Sequence, residues 1–191
     1  MTTIPVAGTN PYDVHVGRGV LDGLIDHIGP DVKKLLIVHQ PSLATIAGEL
    51  RTRLGETHEV LLAEIPDGEA AKRIEVAAFC WQILGTSDFT RSDAIIGFDG
   101  GAATDLAGFV AATWLRGVTL IQGPTTVAGM VDAAIGGKTG LNTSQGKNLV
   151  GAFHAPSVVL ADLDILAGLA RTELLGGFAE IVKCGFIAAP E

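Results

Sequence analysis

AIIGFDGGAATD, residues 94–105, is the segment of this chain from which an architecture follows most directly. Its apolar first half predicts a buried strand at residues 94–98, and the small residues from Ala103 onward predict a helix. Gly100 and Gly101 lie between the two, so backbone N–H groups and a helix N-terminus would face a diphosphate there. The spacing of the glycines is not the G-x-G-x-x-G of the ordinary dinucleotide fingerprint. The alternative interpretation is a tight turn between strand and helix, in which Asp105 only favours the helix dipole.

The same alternation of strand and helix extends over most of the chain. From Thr172 to Ala189 the pattern is helical only, and we expect residues 171–191 to be the first helix of an all-α carboxyl-terminal domain that is otherwise missing from this chain. Over residues 1–170 we predict a Rossmann-like α/β domain, with a parallel sheet flanked by helices on both faces. Besides the strand at 94–98, apolar runs predict strands at residues 12–16, 34–38, 59–65, 118–122 and 158–161, and helical periodicity predicts helices at 20–28, 42–54, 70–84, 103–114 and 125–134.

Composition and charge exclude some classes of partner. The chain has 191 residues, a net charge of −8 and two cysteines, Cys80 and Cys184. The negative charge argues against nucleic acid as a partner, and no apolar run is long enough for a membrane span. The amino terminus lacks the basic and apolar regions of a signal peptide, so we expect a cytoplasmic protein. In that reducing setting both cysteines are expected to be small buried hydrophobes.

A second informative segment, residues 129–148, is rich in glycine and carries polar side chains in largely uncharged surroundings. The four that we single out as candidate site residues are Asp132, Lys138, Lys147 and Asn148, and further polar residues lie between them. Core packing does not explain two lysines in such a segment, whereas two flexible ammonium groups suit a substrate that carries phosphate or carboxylate. The segment narrowly misses the P-loop of nucleoside triphosphatases, because Asp132 stands where the first glycine of that motif would be.

Two more segments carry candidate site residues. Thr125 and Thr126 follow the predicted strand at 118–122, at the carboxyl edge of the sheet where ligands bind in open α/β folds. Capping of a helix by Thr125 is the alternative interpretation. In the terminal helix, Glu180 and Lys183 share one face. They form either a surface ion pair or a carboxylate metal ligand beside a lysine that holds substrate.

Together these segments resemble the 3-dehydroquinate synthase family of sugar-phosphate cyclases. The resemblance is specific over residues 65–187 and looser before them. Iron-type alcohol and glycerol dehydrogenases share the fold and a similar glycine turn, but they lack the segment with the two lysines. Amino-dehydroquinate and valiolone-type synthases are much closer competitors. The motifs that carry the resemblance are residues 66–72, 100–101 with Asp105, 107–117, 124–126, 129–153 and 179–183.

The resemblance implies a lyase of the shikimate pathway to aromatic amino acids. Such an enzyme closes 3-deoxy-D-arabino-heptulosonate 7-phosphate into 3-dehydroquinate, with elimination of phosphate and with NAD regenerated within the cycle. It also implies a divalent metal, Zn²⁺ or Co²⁺, that acts as a Lewis acid, and a homodimer in the full-length form. A nucleotide-binding domain that retains the fold without the chemistry is the alternative function.

The resemblance also implies a role for each matching residue. Glu69 and Lys72 would hold the nicotinamide-side ribose, and Glu180 would be a metal ligand. Arg116 would reach the substrate phosphate, across a dimer interface into the other subunit. The dinucleotide would contact Gly100, Gly101, Asp105, Thr125, Thr126, Lys138 and Lys147, and the substrate pocket would be lined by Asp132, Lys138, Lys147, Asn148 and Lys183.

Some residues depart from the family pattern. Asp99 replaces a glycine, and a carboxylate about 5 Å from a diphosphate, at an effective dielectric of about 20, would cost roughly 3 kcal/mol. We therefore expect weaker NAD binding unless Asp99 points away. Gln40 and Gly168 replace residues that contact the adenosine half. The metal site would be incomplete, because zinc needs three or more protein ligands, so we expect the isolated chain to lack cyclase activity.

Overall fold

The computed structural model describes residues 1–188, in which strands and helices alternate along most of the chain. The longer helices are α1 (Ala44–Leu54), α2 (Ile74–Thr86), α3 (Gly101–Thr113) and α4 (Arg171–Ala188). Shorter 3₁₀ turns occupy Val20–His27, Pro41–Leu43, Gly68–Ala71, Trp114–Arg116 and Ile165–Gly168, and a π-helical turn occupies Gly129–Ala133. The strands are β1 (Thr2–Val6), β2 (Tyr12–Gly17), β3 (Lys34–His39), β4 (Glu59–Glu64), β5 (Ala94–Gly97), β6 (Thr119–Gln122), β7 (Lys138–Thr143), β8 (Gly146–Phe153) and β9 (Val158–Asp162).

One mostly parallel sheet organises the molecule. Its strand order is β1-β2-β9-β6-β5-β3-β4, and only the pair of β1 with β2 is antiparallel. From β3 the chain runs through α1 outward to β4, whereas from β5 it runs through α3 in the opposite direction to β6. Parallel strands that wind away in opposite directions leave a crevice at their carboxyl ends. The crevice here opens between the ends of β3 and β5, beside Gln40 and Gly100.

The sheet is covered on both faces, as its apolar strands require. In β3, Leu36 and Val38 pack with α2 and α3 on one face, while Leu35 and Ile37 pack with α1 and the turn Val20–His27 on the other. Apolar runs in which polar and apolar residues do not alternate are typical of parallel strands that are buried on both sides. The prediction of a doubly covered, mainly parallel α/β domain is therefore confirmed.

Several predicted elements were wrong in detail. The antiparallel strand β1 was not predicted. Residues 135–148, predicted only as part of a glycine-rich binding segment, contain β7 and the start of β8, which pair as a hairpin. The π-helical turn Gly129–Ala133 lies within the helix predicted at 125–134. The helix predicted at 125–134 is shorter, because residues 123–125 are not helical. The other predicted helix bounds differ from those observed by a few residues.

The last helix, α4, lies outside the main cores. Its Gly177 is buried against Val127, whereas Phe178, Val182 and Phe186 are exposed. Helical structure was predicted as far as Ala189, which lies outside the described residues. The domain division at residue 170 stays a prediction. In the described part of the chain, no helix combines the length and the apolar content needed to cross a bilayer.

Candidate active site at the carboxyl edge of the sheet

The glycine turn after β5 leads directly into α3. Gly100 occupies the N-cap position in extended conformation, and no side chain caps the helix. The first N–H groups of an α-helix have no partner within the helix and carry its positive dipole end. A Cβ atom on Gly100 would lie 3.1 Å from Cγ2 of Thr126, so a larger residue would crowd this turn. Gly100, Gly101 and Thr126 thus form one wall that can accept a diphosphate.

The carboxylate of Asp99 lies between the end of β3 and the glycine turn at the start of α3. Its carboxylate accepts hydrogen bonds from the backbone N–H groups of Gln40 and Gly100, both at 2.6 Å. Only 5% of Asp99 is exposed, and burial raises the pKa of its carboxyl group, against the lowering effect of these two hydrogen bonds. The backbone therefore holds the carboxylate at the glycine turn itself, and the expected weaker binding of NAD stays a prediction.

The two threonines after β6 have different roles. Thr125 is buried, and its backbone N–H donates to the carbonyl of Asp99 at 3.0 Å. The hydroxyl of Thr126 accepts a hydrogen bond from the N–H of Gly129 at 3.1 Å. Thr126, and not Thr125 as the alternative interpretation had it, therefore caps the short helical turn that follows. Both threonines lie beside the glycine turn, and their contact with a dinucleotide stays a prediction.

A buried lysine lies at the centre of the site. Lys72 is 3% exposed, and its ammonium group donates hydrogen bonds to the carboxylate of Asp105 and the side-chain oxygen of Asn148. Burial raises the pKa of Asp105, while the hydrogen bond from Lys72 and its positive charge oppose that change. Asp105 therefore neutralises a buried cation, and it lies beyond the first turn of α3, where a carboxylate would favour the helix dipole.

Glu69 and Lys147 lie on the outer side of the same cluster. The ammonium of Lys147 is 3.5 Å from one oxygen of Glu69, and the side-chain amide of Asn142 donates to the other oxygen at 2.6 Å. This hydrogen bond is the largest cause of the lowered pKa of Glu69. Lys147 was predicted to line the substrate pocket together with Lys138, but it is exposed and faces Glu69, outside the cleft described below.

The helix α4 contributes a further pair of charged side chains, Glu180 and Lys183, to the site. The ammonium of Lys183 contacts Glu180 on its own helix and lies 3.2 Å from the carboxylate of Asp132. These contacts raise the pKa of Lys183, with Glu180 as the larger cause and Asp132 as the next. The two carboxylates make this a position that favours a cation. Among residues 1–188, however, no group of three His, Cys, Asp or Glu side chains is arranged to hold a metal ion.

A cleft of about 460 Å³ is lined by three of the residues described above, Asp105, Asp132 and Asn148. It runs between α3, the π-helical turn and the hairpin, with Lys138 on its rim. Its volume suits a small sugar acid or one half of a dinucleotide. The polar or aromatic side chains that line it are Asp105, Asp132, Lys138, Thr139, Asn148 and Phe153.

Arg116 is the one predicted site residue that lies apart from the others in the described structure. It is exposed in the turn Trp114–Arg116, with a positive φ of 66°, after α3 has crossed to the opposite edge of the sheet. Asn142, in contrast, was not predicted, and it contacts three site residues, Glu69, Lys72 and Asn148. A single asparagine near a hairpin turn gives no signal in the sequence that distinguishes it from a turn residue.

Comparison with known proteins points to one family. The family model for the amino-terminal part of 3-dehydroquinate synthase matches residues 62–176. A 3-dehydroquinate synthase of Leifsonia xyli subsp. xyli is 64% identical over 190 residues, which are 100% of this chain and 53% of the relative. That of Arthrobacter sp. (strain FB24) is 56% identical over 193 residues, with 99% and 53% covered. This chain thus spans about half the length of the curated relatives it matches.

Solved structures agree with this result. A 2-deoxy-scyllo-inosose synthase complexed with carbaglucose-6-phosphate, NAD⁺ and Co²⁺ is 25% identical, with a TM-score of 0.88 over 95% of this chain and 50% of that one. A 2-epi-5-epi-valiolone synthase from Streptomyces hygroscopicus subsp. jinggangensis, with NAD⁺ and Zn²⁺ bound, is 30% identical, with a TM-score of 0.83 over 94% and 51%. An iron-containing alcohol dehydrogenase, 18% identical with a TM-score of 0.75, shares the fold.

Proposed function

The chain belongs to the 3-dehydroquinate synthase family, and from this we propose that it supplies the NAD site and half of the substrate site of such a lyase. The reaction is the cyclisation of 3-deoxy-D-arabino-heptulosonate 7-phosphate to 3-dehydroquinate with loss of phosphate. Identity of 64% to a 3-dehydroquinate synthase, against 25% and 30% to two other cyclases, favours this substrate. We propose a cytoplasmic enzyme that acts as a homodimer.

NAD fits the crevice between β3 and β5. The free N–H groups at the start of α3 would bind its diphosphate, and Thr125 and Thr126 flank them. Glu69 and Lys72 would hold the ribose next to the nicotinamide. When bound, the nicotinamide would supply a transient oxidation of a ring hydroxyl, which acidifies the neighbouring C–H group.

The substrate would occupy the cleft beside the nicotinamide. Lys138 on its rim would hold an anionic group of the substrate, and Asn148 would donate its side-chain amide to a hydroxyl. Asp132 and Lys183, already paired, would orient the hydroxyls on the α4 side. Lys147 would reach the site only after release from Glu69. Arg116 lies at the opposite edge of the sheet from the cleft of its own subunit. We therefore propose that it would contact the substrate of the partner subunit in the dimer.

Glu180 fits as one ligand of a divalent metal. Its carboxylate already lies against a cation, the ammonium of Lys183, and oxygen ligands suit Zn²⁺ or Co²⁺. When bound, the metal would polarise the reacting hydroxyls as a Lewis acid. A tight site needs at least two more protein ligands, and among residues 1–188 no group of three such side chains is arranged to hold a metal ion.

One observation carries the proposal: Asp105, Asp132 and Asn148, from three distant segments, line one cleft, and the buried Lys72 joins Asp105 to Asn148 behind it. A chimera tests it, in which this chain replaces the matching 53% of the Leifsonia xyli relative. With NAD and Zn²⁺ the chimera should release phosphate from the heptulosonate substrate.

The variant Lys138→Met in the chimera should lower turnover by about a hundredfold, a typical effect of losing one electrostatic contact to the reacting groups. The 191-residue chain alone should release no phosphate. The proposal fails if the folded chimera binds NAD but turns over only the substrate of another cyclase, or none.

A further inference from the structure

Asn142 contacts three site residues, Lys72, Glu69 and Asn148, without lining the cleft itself. Its backbone N–H donates to the carbonyl of Lys72 at 2.8 Å. Its side-chain amide donates to Glu69 at 2.6 Å, and its side-chain oxygen accepts from the backbone N–H of Asn148 at 3.0 Å. These contacts use the amide at both ends, so neither a purely acidic nor an apolar side chain could make the whole set.

The contact with Asn148 occurs at an irregularity in the hairpin. The register of β7 with β8 shifts between Leu141 and Thr143, so that one residue of β7, Asn142, faces three of β8. In this bulge Asn148 adopts a left-handed conformation, with φ at 56°. Asparagine tolerates that conformation better than most residues, but it still needs support from its surroundings. The oxygen of Asn142 gives this support, and it directs the side chain of Asn148 towards Lys72.

The contact with Glu69 fixes the other side of the cluster. Glu69 follows Asp67 in an exposed turn, where a glutamate side chain is ordinarily free to rotate. The short hydrogen bond from Asn142 holds one carboxylate oxygen, and the other oxygen faces Lys147. Glu69 is thereby kept against the hairpin, beside Asn142 and Lys147.

We propose that Asn142 is a positioning residue, which holds Glu69, Lys72 and Asn148 as one unit in the geometry that binds the nicotinamide half of NAD. The proposal rests on the proposed function only for the identity of the ligand. The arrangement itself depends on the hydrogen bonds of Asn142 and on the bulge of the hairpin.

Three variants of the 191-residue chain test the proposal. Asn142→Ala removes both side-chain contacts, while Asn142→Asp keeps an acceptor for Asn148 but repels Glu69. Gln145→Ala, at the exposed tip of the same hairpin, is the matched control. For each variant, denaturant unfolding checks the fold and calorimetry gives the affinity for NAD. NMR gives the pKa of Glu69 and the chemical shifts that report the backbone conformation of Asn148.

Asn142→Ala should weaken NAD binding at least about tenfold, as expected for the loss of one hydrogen bond to a charged group. It should also raise the pKa of Glu69 and move Asn148 out of the left-handed region. Asn142→Asp should raise the pKa of Glu69 but leave Asn148 in place, and Gln145→Ala should change none of the three. The proposal is overturned if a folded Asn142→Ala variant keeps the NAD affinity, or the Glu69 pKa and Asn148 conformation, of the parent. Failure of the parent to bind NAD would reject the proposed function instead, while the two NMR measurements would still decide whether Asn142 holds the cluster.

Discussion

The ammonium of Lys183 lies 3.2 Å from the carboxylate of Asp132, although the two residues are 51 positions apart. This contact links α4 to the π-helical turn at the carboxyl edge of the sheet. Lys183 also contacts Glu180 on its own helix, so a single cation lies between two carboxylates. The arrangement connects the proposed metal ligand with the proposed substrate cleft, and it leads to the first prediction.

Glu180→Gln and Asp132→Asn should both lower the pKa of Lys183 towards its ordinary value. Glu180→Gln should have the larger effect, because its hydrogen bond is the main cause of the raised pKa. NMR titration of the lysine Cε resonances measures both changes. An equal or larger fall in the Asp132→Asn variant would contradict this ranking of the two contacts.

Gly177→Ala should detach α4 from the rest of the molecule. A Cβ atom there would overlap the side chain of Val127 and come within 2.8 Å of the backbone nitrogen of Ala128. At Gly176 a Cβ atom would meet open space, so Gly176→Ala is the matched control. Both changes raise helix propensity by up to about 1 kcal/mol. Hydrogen exchange in α4 should therefore speed up only in Gly177→Ala, and equal protection in the two variants would refute the close packing.

Asp93→Asn should destabilise the fold at neutral pH by about 1–3 kcal/mol, the cost of disrupting a buried hydrogen-bonded group. The carboxylate of Asp93 accepts hydrogen bonds from the N–H groups of Lys33, Lys34 and Thr90 and from the hydroxyl of Thr90. Burial raises its pKa, but these hydrogen bonds outweigh burial, so the net pKa is lowered.

A lowered folded-state pKa fixes the sign of the pH dependence. The stabilisation is complete above the unfolded pKa of about 4 and is lost as the pH falls through the folded value. The gap in unfolding free energy between parent and Asp93→Asn should therefore shrink below about pH 4. Urea unfolding at pH 7 and pH 3 tests this, with exposed Asp31→Asn as the control. A gap that does not depend on pH would count against the ionised carboxylate as the stabilising group.

The two cysteines should differ in reactivity, against the expectation that both are buried. Cys80 is fully buried, and burial raises the pKa of its thiol to about 12, whereas Cys184 is exposed on α4. A thiol that stays protonated does not react as a nucleophile. A disulfide reagent should thus modify one thiol per native chain and two in denaturant. Modification of Cys80 in the native chain, identified by peptide mass, would contradict the packing described for α2.

Much of the fold could be predicted from the sequence, because parallel strands buried on both faces are continuous apolar runs, as in β3 and β5. The hairpin of β7 with β8 could not be predicted in this way. Leu149 and Phe153 in β8 are 63% and 89% exposed, so its residues have no buried face to impose a period of two.

The sequence indicated which residues belong to the candidate site, but it did not indicate which of them contact one another. Lys72 and Asp105 were both assigned to the cofactor, but their ion pair depends on how the turn Gly68–Ala71 packs on α3. In the same way, Lys147 was expected in the substrate pocket, whereas the bulge at Asn142 turns it towards Glu69. Contacts of this kind between distant segments are decided by tertiary packing, which local sequence patterns do not contain.

The most direct test of the account is calorimetric titration of NAD into the parent chain and into Ala102→Asp and Ala102→Asn. Residue 102 lies in the first turn of α3, where the diphosphate is proposed to bind. An aspartate there favours the helix dipole but would repel the diphosphate by roughly 3 kcal/mol at about 5 Å and an effective dielectric of about 20. The parent and Ala102→Asn should bind NAD, and Ala102→Asp should bind it at least about a hundredfold more weakly. Equal affinities in the two variants, or no binding by the parent, would contradict an NAD site at the glycine turn.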